Sequence, residues 1–243
     1  MTNKYMYFVA NWKMFGDLRS LNTLNKVILF TKKFKKKFKL IYCPPATLIC
    51  PLAKIVKKSS IEVGAQNCHQ SKYYGAHTGN INSSMLKGVG AKYVIIGHSE
   101  NRKSGENDKL VNSKIKVATN SGLKVIFCIG ETLNEKRKKI TKRILSKQID
   151  KGLSGIKNKK AILIAYEPVW AIGSGLIPNG QDLFKTINFV KGKVKGAKVL
   201  YGGSVNQKNI KNLKNIDNID GFLIGGASQV SNNLIDIIKK TFI

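Results

Sequence analysis

Eight short apolar runs punctuate the chain, at Tyr7–Ala10, Lys39–Cys43, Glu62–Ala65, Tyr93–Ile96, Val125–Cys128, Ile162–Tyr166, Val199–Tyr201 and Gly221–Ile224. Each is too short for a helix and is bounded by Gly, Pro, Asn or polar residues, which marks a strand. Between them, apolar residues recur with helical spacing over Leu18–Lys32, Ala46–Lys57, Lys109–Ser121, Ile140–Leu153, Leu183–Val194 and Leu234–Thr241. Short apolar strands separated by amphipathic helices are the pattern of a parallel sheet buried on both faces. Eight such strands in 243 residues predict an α/β protein, one closed (β/α)8 barrel over residues 1–243. No linker, low-complexity tract or shift in composition marks a second domain.

Composition narrows the setting. Hydrophobic residues make up 42% of the chain, enough for a sizeable core. No apolar run approaches the ~20 residues of a membrane span. The segment Tyr5–Ala10 lacks the length and flanks of a signal peptide and reads as a strand. Cys43, Cys50, Cys68 and Cys128 form no C-x-x-C pair or His-spaced metal set, which fits reduced thiols in a cytoplasm. The formal charge of +30 would ordinarily point to nucleic acid. Yet the lysines are spread along the whole chain, and the densest run, Lys32–Lys39, falls on a helix end and connector. Asn and Ile are plentiful as well, as AT-rich coding would produce, and the aromatics sit within apolar stretches instead of forming stacking platforms. A solvated lysine surface is therefore favoured over a specific nucleic-acid site.

The chemistry concentrates where strands end. In Ile164–Gly175 an apolar strand closes on Glu167 and runs at once into a loop stiffened by Pro168 and Trp170 and tipped by Gly173 and Gly175. A carboxylate at a strand's C-terminal end, joined to a segment able to exclude water, is suited to proton abstraction. The active site of such a barrel lies on that face. Asn11 and Lys13 follow the first strand, and His98 and Glu100 the fourth. Three glycine turns, Gly173-Ser174-Gly175, Gly202-Gly203-Ser204 and Gly225-Gly226, expose backbone N–H groups that suit a phosphate. Singly, each has a bland reading: a surface Glu167, a surface Lys13, a satisfied core His98, plain tight turns. Jointly they place a cation, an imidazole, a carboxylate and an anion cradle on one rim.

Six motifs resemble the triosephosphate isomerase family: Ala10-Asn11-Trp12-Lys13-Met14, Ile96-Gly97-His98-Ser99-Glu100, Cys128-Ile129-Gly130-Glu131, Ala165–Gly173, Tyr201-Gly202-Gly203-Ser204-Val205 and Ile224-Gly225-Gly226-Ala227. They occur in family order across nearly the whole chain. The resemblance implies a TIM barrel that interconverts dihydroxyacetone phosphate and glyceraldehyde 3-phosphate through an enediolate, in glycolysis and gluconeogenesis, without metal or organic cofactor. It implies that Glu167 moves the carbon proton, that His98 donates to the carbonyl, and that Lys13 offsets negative charge. Asn11 would polarise a substrate oxygen, and the N–H groups of Gly173, Ser204, Gly225 and Gly226 would hold the phosphate. Glu100 would organise Lys13, with Cys128, Glu131, Trp170 and Tyr201 in support; Tyr201 and Ser204 would receive the closed loop. The long segment Asn67–Ile81 would project into a second copy, placing Thr78 near that copy's Asn11, Lys13 and His98, so a cytoplasmic homodimer is expected. Other readings are a different sugar-phosphate barrel, or a basic nucleic-acid-binding barrel with a relic site.

The chain departs from the family pattern at Asn101, where arginine is usual, and at Asn80, where glutamate is usual. One charge of each sign is lost, which points to an ion pair removed together. The segment Lys103–Glu106 is one residue shorter than usual, and Leu176-Ile177-Pro178 is bulky where small residues are common.

Overall fold

Eight parallel strands close on themselves in chain order: β1 (Met6–Asn11), β2 (Phe38–Cys43), β3 (Glu62–Ala65), β4 (Tyr93–Ile96), β5 (Lys124–Ile129), β6 (Ile162–Tyr166), β7 (Lys198–Tyr201) and β8 (Gly221–Ile224). The seam is the pairing of β1 with β8, where Tyr7 lies opposite Gly221. The structure, a computed structural model, describes residues 4–34 and 36–243; residues 1–3 and Lys35 of the basic run lie outside it. The helices are α1 (Leu24–Lys33), α2 (Ala46–Val56), α3 (Ser83–Gly88), α4 (Ser99–Lys103), α5 (Asp108–Asn120), α6 (Leu133–Arg137), α7 (Thr141–Gly152), α8 (Gly180–Lys193), α9 (Ile210–Leu213) and α10 (Ser231–Phe242). Among the described residues, no helix is long and apolar enough to cross a membrane.

Strand alternation divides the core in two. Val9, Ile41, Tyr93, Ile95, Ile126, Cys128, Leu163, Ala165, Leu200 and Leu223 pack together inside the barrel. Their chain neighbours, among them Phe8, Tyr42, Val94, Phe127, Ile164 and Phe222, pack outward against the helices. Both faces of each strand are thus buried, which explains why the strands read as nearly unbroken apolar runs.

The first predicted helix is broken. A 3-10 turn, Arg19–Thr23, precedes α1. There Ser20 donates its backbone N–H to Asp17 Oδ1 at 3.0 Å, Asp17 N–H donates to Ser20 Oγ at 3.1 Å, and Thr23 Oγ1 donates to Ser20 O. Such side chains compete with a helix for its own backbone groups. The short helices α3, α4, α6 and α9 show no apolar period. Caps specify three of them: Asn82 on Met85 N–H for α3, His98 on Glu100 N–H for α4 and the reciprocal Thr132–Glu135 pair for α6.

At the N-terminal end of the barrel, Phe242 of α10 meets Phe8, Phe34 and Phe38 with ring centroids 5.8–6.3 Å apart. Beside it, buried Asp220 pairs with Lys4 at 3.0 Å and Lys191 at 2.7 Å, and accepts the Val199 N–H. The opposite, C-terminal end carries the polar residues.

Candidate active site

Asn11, Lys13, His98, Glu167, Gly173, Ser204, Gly225 and Gly226 line one cavity of about 310 Å³ at the C-terminal end of the strands. Lys13 enters it from a left-handed backbone conformation, φ 57°. That conformation costs a non-glycine residue about 1–3 kcal/mol, so surrounding bonds must hold it. Asn11 Oδ1 accepts the Lys13 N–H at 3.1 Å, and Gln66 donates to Lys13 O at 2.8 Å and to Cys43 O at 2.9 Å. Lys13 Nζ then lies 2.5 Å from Glu100 Oε1. Burial raises the Glu100 carboxyl, but the Lys13 hydrogen bond, His98 and the Lys13 charge outweigh it and hold it below the usual value.

His98 caps α4. Its Nδ1 accepts the Glu100 N–H at 3.2 Å, and its Nε2 lies 3.4 Å from Glu167 Oε1. A ring that accepts at Nδ1 carries its proton at Nε2 and presents it to the cavity. Glu167 is 2% exposed. Burial raises its carboxyl above the usual value, opposed by His98, a hydrogen bond from the Cys128 thiol, and Lys13. Burial, with Glu167 beside it, likewise pushes the Cys128 thiol far up, so it stays a neutral donor. Glu167 Oε2 is buried without a hydrogen-bond partner, leaving one oxygen of the carboxylate uncommitted. Two glycines make room for this residue. A Cβ on Gly130 would stand 1.8 Å from Glu167 O, and one on Gly202 would stand 2.7 Å from Glu167 Cγ.

The loop after Glu167 is tied at both ends of its first half. Trp170 Nε1 donates to Glu131 Oε1 at 3.0 Å, Val169 N–H donates to Glu131 O, and Tyr166 OH donates to the same Glu131 carboxylate. Burial raises the Glu131 carboxyl, its hydrogen bonds and Lys136 working against that. Ser204 holds the tip: its Oγ donates to Ala171 O at 2.7 Å and accepts the Gly175 N–H at 3.1 Å. Its own N–H donates to Ala171 O at 3.1 Å, so this amide is already engaged by the loop. Tyr201 is buried beneath, but its hydroxyl has no hydrogen-bond partner.

Thr78 is exposed on the segment Asn67–Ile81, outside this chain's own cavity. His69 N–H donates to Ile81 O at 2.8 Å and closes the segment's base, while Tyr73 and Tyr74 are exposed. At that base, buried Lys114 contacts Glu106 and Asn67. Among the described residues, no group of three or more His, Cys, Asp or Glu side chains is placed to hold a metal ion.

Gln66, Gly130 and Gly202 were not singled out from the sequence for their part in seating Lys13 and Glu167. Gln66 directly follows β3, so its place on the C-terminal rim was an available signal. Gly130 and Gly202 lie in motifs visible in the sequence, yet nothing local marks them as seats for Glu167, which comes from another strand.

A family model described as triosephosphate isomerase matches residues 6–241. The triosephosphate isomerase of Thermodesulfovibrio yellowstonii is 40% identical over 96% of this chain and 98% of its own length. That of Dictyoglomus thermophilum is 37% identical over 95% of this chain and 97% of its own. Among solved structures, the triosephosphate isomerase of Bartonella henselae superposes with a TM-score of 0.89 at 34% identity, covering 98% of this chain and 99% of that one.

Proposed function

The chain belongs to the triosephosphate isomerase family, and we propose that Glu167, His98 and Lys13 carry the reaction of that family in it. That reaction interconverts dihydroxyacetone phosphate and D-glyceraldehyde 3-phosphate, a step of glycolysis; the same reaction run in reverse serves gluconeogenesis. The whole chain is read as one catalytic domain working in the cytoplasm.

A carbon acid beside a carbonyl is too weak for an unaided carboxylate in water. The base must be desolvated, and the enediolate oxygens must meet donors already in place. Glu167, buried, takes the proton from one carbon and returns it to the next. His98 donates from Nε2 to the carbonyl oxygen as charge develops there, and passes that proton between the two oxygens. Lys13, held by Asn11 and Gln66, offsets the negative charge, and Asn11 polarises a substrate oxygen. The Gly173, Gly225 and Gly226 amides receive the phosphate. Ser204 adds a fourth donor when its N–H leaves Ala171 O. The observation that carries this reading is the pairing of a buried base, Glu167, with an imidazole Nε2 3.4 Å away whose Nδ1 is fixed as an acceptor.

Glu167→Asp tests it. The shortened side chain withdraws the base about 1 Å from the carbon proton, and a misplacement of that size costs ~10²-fold. An assay coupled to glyceraldehyde 3-phosphate is expected to show that loss in kcat with inhibitor affinity retained. Turnover within a few-fold of the parent would remove Glu167 from the role.

The assembly is read as a homodimer. The segment Asn67–Ile81 far exceeds the 2–6 residues usual for a βα connection, and its exposed tyrosines suit a docking face. Thr78 would then support the partner's site. Sedimentation velocity is expected to give a dimer; a fully active monomer at nanomolar concentration would overturn this.

A further inference from the structure

Among the described residues, Lys136 makes the shortest cation–ring contact: its Nζ stands 3.4 Å from the centroid of the Trp170 ring. The other cation–ring contacts among the described residues lie at 5.1–5.8 Å. Trp170 sits three residues beyond Glu167 and three before Gly173. It is therefore the joint through which the lid hangs on the barrel.

We infer that Lys136 is a positioning residue, clamping the Trp170 ring from its solvent face so that Gly173 and Gly175 stay over the cavity. Two surfaces of the indole are then fixed by two different groups. The ring edge donates to Glu131 Oε1 at 3.0 Å, and the face meets the Lys136 ammonium. The two contacts reinforce each other. An indole N–H that donates to a carboxylate leaves more electron density in the ring, and a denser ring attracts a cation more strongly. The Lys136 charge also acts on the buried Glu131 carboxyl, working against the rise that burial causes.

The carrier of the ammonium is itself anchored. Lys136 belongs to α6, whose first turn is closed by Thr132 N–H on Glu135 Oε2 at 2.8 Å and Glu135 N–H on Thr132 Oγ1 at 3.3 Å. Thr132 directly follows Glu131, whose backbone carbonyl accepts the Val169 N–H at 3.0 Å. The clamp thus refers the lid's root to β5 and α6 as well as to its own strand, β6. Ser204 then fixes the far side of the tip.

The inference rests on the lid reading of Ile172–Gly175, and its test separates the two. Lys136→Met keeps most of the stem and removes the charge; Lys136 is exposed, so the fold should persist. Three readouts are taken: kcat/KM with glyceraldehyde 3-phosphate, the fraction of turnovers lost as free phosphate, and tryptophan emission. A cation–π contact at an exposed site corresponds to about a two- to fivefold shift in an equilibrium. Lys136→Met is therefore expected to lower kcat/KM and raise phosphate loss by about that factor. It should also shift the Trp170 emission at an unchanged melting temperature, with Lys136→Arg restoring all three. Unchanged phosphate loss and emission in Lys136→Met would overturn the clamp, as would Lys136→Arg behaving like Lys136→Met. Deleting Ile172–Gly175 is the control, expected to raise phosphate loss more strongly. If the deletion leaves that ratio unchanged, the lid reading fails and the clamp with it. If the deletion raises it and Lys136→Met does not, only the clamp fails.

Discussion

Glu167, the proposed base, sits in a setting that penalises its charge. Burial raises its carboxyl from the ordinary value of 4.5, and His98, the Cys128 thiol and Lys13 recover only part of that. The base works ionised, so protonation removes activity, and protonation sets in at a higher pH than for an exposed glutamate. The acid limb of kcat/KM is expected above pH 4.5. Glyceraldehyde is the substrate for this measurement, because it carries no phosphate to titrate in the same range. An acid limb at or below the ordinary glutamate value would mean that Glu167 is not desolvated in the working enzyme. Lys13, His98 and Glu167 were legible as candidates because polar residues directly after apolar strands are rim residues in any such barrel. Their seating was not. The left-handed Lys13 depends on Gln66, 53 residues away, and the carboxylate of Glu167 on the bare backbone of Gly202.

Elements long enough to show a period were readable, and those specified by caps were not. The five-residue helices α4 and α6 carry too few apolar positions to repeat, yet α4 orients His98 and α6 carries Lys136. At the other end of the barrel, α10 does structural work alone. Phe242 is 2% exposed and touches rings from β1, β2 and the residue after α1. Truncating it leaves a cavity between the last helix and the first strands, and Phe→Ala at such sites costs about 3–5 kcal/mol. Denaturant unfolding of Phe242→Ala should show that loss. Turnover per folded molecule should be unchanged, because the ring lies at the end of the barrel away from the cavity. A loss below 1 kcal/mol would mean that the end of α10 packs loosely.

Across the whole molecule, charge is the dominant feature. Of the 13 acidic residues, Glu62, Glu100, Glu106, Asp108, Asp150, Asp220 and Asp236 are each paired with a lysine or arginine, leaving a large positive excess. The substrate is a phosphate, so this field should raise its rate of encounter before it reaches Lys13. Where encounter limits kcat/KM, that ratio should fall steeply as the Debye length shrinks from ~30 Å at 0.01 M to ~10 Å at 0.1 M salt. Saturated kcat should hold, and glyceraldehyde should show little dependence. A flat kcat/KM for the phosphorylated substrate would assign the lysines to compositional drift alone.

The eight strands and the longer helices followed from the sequence because burial on both faces forces apolar runs, and burial on one forces a helical period. The ends of those strands located the rim, and with it Asn11, Lys13, His98 and Glu167, since the backbone direction of a parallel barrel puts all eight C-terminal ends on one face. Tertiary structure alone decided the rest. It committed the Ser204 amide to Ala171 and left the Tyr201 hydroxyl without a partner. It also put the Lys136 ammonium against Trp170. The two contacts join residues 33 and 34 positions apart, and all of these features are set by the direction in which a particular side chain or amide points once its neighbours are packed. A linear pattern of apolar and polar positions records which side of an element faces the core, and carries no account of which atom meets which across it.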